Sequence, residues 1–399
     1  MKKKVKNNQL LFVTEDFPSG LNGNSVRTRN TLIYLLDQGY NVDLCCFHFD
    51  EFKKVDFKHK NLKVFFVNIS RFKKLSINFL INSLNIILSP YPVSLRRLFS
   101  ENLKKKILLL QNKNDYSTIF FDGYSTLQYL NKELSDNKCQ KIYIDDEDFT
   151  DLFKQRLILE TKLLVKIFYL HEYLKSLLYE KLFFSRLDQI WAISPNTKTR
   201  FEKITRVKTV VMPTIISLKE NLYQGDGYNL VFTGTLNWRE NVEGLKWFIS
   251  THWAEICCYY PKAKLTVIGQ GASKEFISYL NLQKNIFYKG YVESLENEYK
   301  KASLSIAPVR INAGIKVKIL TYMSYGLPVI STKKASLGLV STNGILVSSD
   351  KHFSRFIITM LENKRMRKLL SRKAHNNIKK NYSITQLESF LAHNFVTIS

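Results

Sequence analysis

One feature constrains this chain more than any other. Short apolar runs, each closed by a small or polar turn, alternate with segments of helical spacing almost from end to end. Runs without apolar–polar alternation are buried on both faces, as in parallel sheets covered by helices. A first series comprises Leu10–Thr14, Val42–Phe47, Lys63–Asn68, Thr118–Phe121, Lys141–Ile144, Gln189–Ile193 and Thr209–Val211. A second comprises Leu230–Phe232, Lys264–Ile268, Ile286–Tyr288, Leu304–Ala307, Pro328–Ile330 and Gly344–Val347. Between them, residues 214–228 are more polar and hold Gly225-Asp226-Gly227, which reads as a linker. The expected fold is α/β, with two doubly wound Rossmann-like domains at 1–213 and 229–380. Residues 381–399 form a C-terminal helix expected to pack back on the first domain.

Composition narrows the partners. The chain has 399 residues and a formal net charge of +26, which favours a polyanionic partner. Its five cysteines lack C-x-x-C spacing, so neither a disulfide framework nor a zinc site is expected and a reducing compartment fits. After Met1-Lys2-Lys3-Lys4 the apolar run is too short for a signal peptide. No window reaches the length of a membrane span. Two segments, 71–110 and 150–187, mix basic with aromatic and aliphatic residues. Such a surface can lie on an anionic bilayer. The plainer reading is packed helices with solvated lysines.

In doubly wound sheets, ligands gather at the carboxyl ends of the strands. The most telling stretch there runs from Ala307 to Lys318, through Arg310, Asn312, Gly314 and Ile315 into a helix. Cations in a first helical turn are unfavourable by ~0.3–1 kcal/mol each. Lys316 and Lys318 at such a start make sense if a bound phosphate supplies negative charge. Thr233-Gly234-Thr235, with Arg239 four residues later, leaves room for a ligand near the backbone. Gly269-Gln270-Gly271 is a weaker version of the same signal. No P-loop or nucleophile elbow occurs, and the seven histidines lack metal-ligand spacing. Asp145-Asp146-Glu147-Asp148 follows a strand and could bind a metal, but an acid-rich, solvated helix start is the preferred reading.

These pieces, in this order, resemble the retaining GT-B glycosyltransferases of the group 1, or family 4, type. Leu11-Phe12-Val13-Thr14, Gly23-Asn24 and Arg27-Thr28-Arg29 resemble that family's first strand, glycine loop and first helix. Ile190 to Ser194 and Val210 to Pro213 resemble its last N-terminal strands. Phe232 to Asn241 resembles the start of its donor domain. Val267-Ile268-Gly269, Gly290-Tyr291-Val292 and Gly314 to Thr332 complete the pattern. The resemblance implies two domains facing a central cleft, a nucleotide-sugar donor of the UDP or GDP type, and metal-independent transfer with retention. It implies no further cofactor. Arg310, Lys316 and Lys318 would stabilise the leaving diphosphate, helped by Arg239. Backbone at Tyr291 and Val292 would face the base, and Gly23-Asn24 would approach donor phosphate and acceptor. Two positions depart from the pattern. Asp122 stands where a histidine is frequent, and Thr321 occupies the place of a ribose-binding glutamate; the first acidic position falls near Ala313.

The expected activity is extension of a cell-surface glycan such as lipopolysaccharide or capsule, on a glycan or polyprenyl-linked acceptor. The expected location is cytoplasmic, with room for a peripheral position on the inner membrane face. The alternatives are a non-catalytic glycan- or nucleotide-binding protein on the same fold, and a nucleic-acid binder. The last lacks any motif beyond charge, and no nucleic-acid partner is expected.

Overall fold

Thirteen strands form among the described residues, and all of them pair in parallel. The computed structural model describes residues 8–15, 17–18, 23–48, 57–68, 89–96, 98–130, 139–220, 223–224, 227–312 and 314–395. The chain divides into two units, residues 1–214 with 387–399, and residues 215–386.

The first unit holds β1 (Gln9–Thr14), β2 (Asn41–His48), β3 (Leu62–Asn68), β4 (Thr118–Asp122), β5 (Gln140–Ile144), β6 (Gln189–Ala192) and β7 (Lys208–Val211). Their order is β3-β2-β1-β4-β5-β6-β7. The second holds β8 (Asn229–Thr233), β9 (Lys264–Ile268), β10 (Ile286–Gly290), β11 (Leu304–Ala307), β12 (Val329–Thr332) and β13 (Ile345–Ser348), ordered β10-β9-β8-β11-β12-β13. Each sheet reverses direction beside its first strand, which makes β1/β4 and β8/β11 the switch points where ligands bind in such folds.

The helices of eight residues or more are α1 (Gly23–Asp37), α2 (Glu101–Lys113), α3 (Phe149–Leu159), α4 (Leu163–Phe184), α5 (Pro195–Glu202), α6 (Arg239–Phe248), α7 (Lys274–Asn281), α8 (Val317–Ser324), α9 (Phe353–Glu362), α10 (Lys364–Asn381) and α11 (Ile384–Asn394). Leu10 to Val13 and Ile119 to Phe121 are wholly buried, because helices cover both faces of the sheet. Residues from Leu387 onward complete the first unit's core. Phe395 lies 5.4 Å from both Phe120 and Tyr40, and Phe390 lies edge-on to Trp191 at 5.1 Å.

Two local readings change. First, the polar stretch after Thr214 docks on the second unit. Ile215 is buried, Ile216 donates to the Tyr382 carbonyl at 3.0 Å, and the Tyr223 hydroxyl donates to the Ser303 carbonyl at 3.0 Å. Second, the acidic run after β5 is largely buried rather than solvated. Asp148 caps α3 through the Asp151 amide at 2.9 Å, and Asp145 is enclosed. Of the basic stretch 71–110, residues 71–88 and Arg97 lie outside the described residues, as does Ala313.

Candidate functional site

The second unit's switch point gathers the most chemistry. β8 ends at Thr233, whose amide donates to the Tyr322 hydroxyl at 2.7 Å. Tyr322 is buried in the second half of α8, so this bond ties that helix to the end of β8. Lys316 is the N-cap of α8, with no side chain capping the helix, and no acid lies in the first turn. Two residues on, the Lys318 ammonium donates to Asn241 Oδ1 at 2.6 Å. It also lies 4.1 Å from the centroid of the Phe232 ring. Asn241, in the first turn of α6, donates in turn to the Thr235 carbonyl at 2.8 Å.

Glycine is required where this loop closes. A Cβ at Gly234 would stand 2.6 Å from the Lys318 ammonium. A Cβ at Gly269 would stand 1.9 Å from the Gly234 carbonyl oxygen, and its φ of +155° is one that side chains rarely adopt. Gly269 therefore lets the loops after β8 and β9 touch, and Gly234 lets the lysine lie against backbone.

Lys318 is an unusual cation. Burial pushes its pKa well below that of an ordinary lysine, and neighbouring Lys316 lowers it further. Among the described residues no carboxylate pairs with it. A half-buried ammonium without a counter-charge, at an uncapped helix start, is a ready anion site.

The other expected residues are placed variously. Arg310 is 46% exposed, pairs with Asp350 at 3.4 Å and lies over Trp247 at 5.5 Å. Arg239 is the first residue of α6 and half-buried, and Thr235 is exposed. Tyr291 is exposed and Val292 half-buried, just beyond β10. Asn312 is buried, and its amide ties its loop to the carbonyls of Lys334 (2.9 Å) and Leu337 (3.2 Å). Gly314, at φ +144°, and buried Ile315 lead into α8. The Thr321 hydroxyl donates to the Val317 carbonyl one turn back at 3.0 Å. Gly23 and Asn24 open α1, and the Asn24 side chain is outside what the structure describes. A cavity of about 270 Å3, lined in part by Leu230, Thr266, Phe287 and Glu298, lies toward the amino ends of the strands, away from this loop cluster.

At the carboxyl ends of the first unit's strands, Asp122 is buried. One carboxylate oxygen accepts from Arg27 Nη2 at 2.7 Å and the other from the Thr28 hydroxyl. Arg27 Nη1 also donates to the Asp145 carbonyl at 2.6 Å. The carboxylate thus anchors α1 to β4. Burial, opposed by Arg27, raises Asp146 to about 6.

The sequence pattern quoted Asn241 without giving it a role, and gave Tyr322 none. The available signal for Asn241 was a poor helix former in a first helical turn directly after a glycine turn.

Residues 227–363 match the family described as Glycosyl transferases group 1. The matched stretch runs from β8 to the end of α9 in the second unit. The two doubly wound units together have the GT-B fold. Sucrose-phosphate synthase from Thermosynechococcus elongatus superposes with a TM-score of 0.73 at 12% identity, over 98% of both chains. Anabaena Alr3699/HepE, in complex with UDP and glucose, gives 0.64 at 12% identity, over 98% of this chain and 99% of its own. An uncharacterized 44.6 kDa protein in a cps region of Klebsiella pneumoniae is 24% identical over 390 residues, covering 94% of this chain and 96% of its own.

Proposed function

We propose that this protein is a glycosyltransferase that moves a sugar from a UDP- or GDP-linked donor to a glycan or lipid-linked acceptor, with retention and without a metal, in assembly of a cell-surface polysaccharide. The observation that carries the donor half is the uncompensated, half-buried Lys318 ammonium held by Asn241 beside Gly234. As the glycosidic bond breaks, negative charge accumulates on the diphosphate. A preorganised cation in a site poor in water stabilises that charge far better than one in solvent. Lys316 and the first amides of α8 add to the field. The HepE complex with UDP supports a uridine nucleotide, and the cps-region relative supports capsule or a related polysaccharide.

The test is calorimetric titration with UDP and GDP, then with their sugars. Lys318→Ala should weaken nucleotide binding at least about tenfold, in line with a charged hydrogen bond of ~1.5–3 kcal/mol. Arg310→Ala should cost less, because Arg310 already pairs with Asp350. Wild-type affinity in the Lys318 variant would end the assignment. Proton NMR of the first-formed product, compared with the donor's anomeric configuration, tests retention.

A further inference from the structure

Helix α4 is apolar on two sides. Its buried face carries the aromatics Tyr169, Tyr179, Phe183 and Phe184, but also Glu172 and Glu180, both 0% exposed, with Ser176. Its outward face carries Leu163, Leu164, Ile167, Leu174, Leu178 and Leu182, with Leu164 81% and Leu178 62% exposed. An ordinary amphipathic helix keeps its acids outside and does not expose such a stripe.

The orientation is locked. Glu180 accepts from Arg200 Nη1 and Nη2 and from the Thr150 hydroxyl, all at 2.7 Å. Arg200 Nε donates to Asp148 at 2.6 Å. Glu172 accepts the amides of Val93 (2.8 Å) and Ser94 (3.0 Å). Rotating α4 to bury its leucines would strand two carboxylates and leave Arg200 with Asp148 alone. The apolar stripe spans the whole helix, ~33 Å for 22 residues, so the helix would meet a flat surface lengthwise. It continues onto Ile158 and Leu159 at the end of α3.

Charge identifies the occupant. From Ile158 to Leu182 the exposed charges are Lys162, Lys166 and Lys181, and all three acids in that span, Glu160, Glu172 and Glu180, are buried. Two copies of such a face would bring together only lysines. No described helix is long and apolar enough to cross a membrane. A surface apolar below and negative above fits leucines flanked by lysines. We propose that the outward face of α4 lies flat on a lipid bilayer bearing anionic headgroups. This site lies within the first unit and is independent of the donor assignment.

The test is flotation of the full chain with vesicles of phosphatidylglycerol and phosphatidylcholine in equal parts, and with phosphatidylcholine alone. The wild type should float with the first and at least about tenfold less with the second. The variant L164S/I167S/L174S/L178S should lose at least about tenfold of that partition, with a melting temperature within about 5 °C of wild type. K162Q/K166Q/K181Q should lose the preference for phosphatidylglycerol. Wild type that stays with the soluble fraction, or a serine variant that floats unchanged, would overturn the proposal. So would a large drop in melting temperature, which means that this chain covers its own stripe. A dimer in light scattering that the serine substitutions dissociate, without vesicle binding, would assign the face to a second copy instead.

Discussion

Lys318 shows how one residue's surroundings set its chemistry. Its amine lies against the Gly234 turn and the Phe232 ring, so burial disfavours the charged form. A diphosphate restores the charge, because the ammonium is then paired. Binding above the free lysine's pKa must therefore take up a proton, and affinity falls as pH rises through that value. For wild type, UDP affinity measured from pH 7.5 upward should hold level and then weaken by up to about tenfold per pH unit, beginning well below an ordinary lysine's range. Lys318→Arg should flatten the profile, because a guanidinium stays charged throughout. A flat wild-type profile up to the ordinary lysine range would mean that the ammonium takes no part. Asp122 is a contrasting case. Both of its oxygens are occupied by Arg27 and Thr28, so it serves as an anchor for α1 in this structure.

At the scale of elements, the α4 network makes a prediction about stability. Removing one partner of a buried ion pair leaves a stranded charge and costs about 3–5 kcal/mol, whereas replacing both by apolar groups costs far less. Glu180→Met should accordingly lower the unfolding free energy by about 3 kcal/mol in urea titrations. Glu180→Met with Arg200→Met should not recover that loss, because buried Asp148 then loses its guanidinium, whereas adding Asp148→Asn should recover much of it. A single variant within about 1 kcal/mol of wild type would show that the pair does not lock the helix. The same helix shows where sequence reading stops. The inner strands were legible because they are apolar on both faces, and the Gly234 turn and the Lys316–Lys318 helix start were legible because they sit at strand ends. Periodicity also finds the leucine stripe of α4, but it cannot tell which side faces the core. That choice is made by Val93, Ser94 and Arg200, distant in sequence. Asn241 was hidden for the same reason, since its partner Lys318 is 77 positions away. The stretch after Thr214 read as a linker because it is polar, yet its backbone and Tyr223 find partners on α10 and β11's flank.

Across the whole molecule, the chain builds two cores, and the last segment belongs to the first of them. Phe395 rests on Phe120 and Tyr40, so its loss opens a hole in the first unit alone. Phe→Ala in a core costs about 3–5 kcal/mol, and a domain of this size shifts by about 2–4 °C per kcal/mol. The nucleotide, by contrast, contacts Lys318 in the second unit under the proposed reading. At ~100 times its dissociation constant it would add about 2.7 kcal/mol there. Scanning calorimetry should therefore resolve two perturbations with different targets. Phe395→Ala should lower one transition by roughly 6 °C or more, and UDP should raise the other by roughly 5–10 °C. If substitution and nucleotide both move a single transition by offsetting amounts, the two cores unfold as one cooperative unit. If UDP raises the transition that Phe395→Ala lowers and leaves the other unchanged, the nucleotide is held by the first unit, and the Lys318 assignment fails with it.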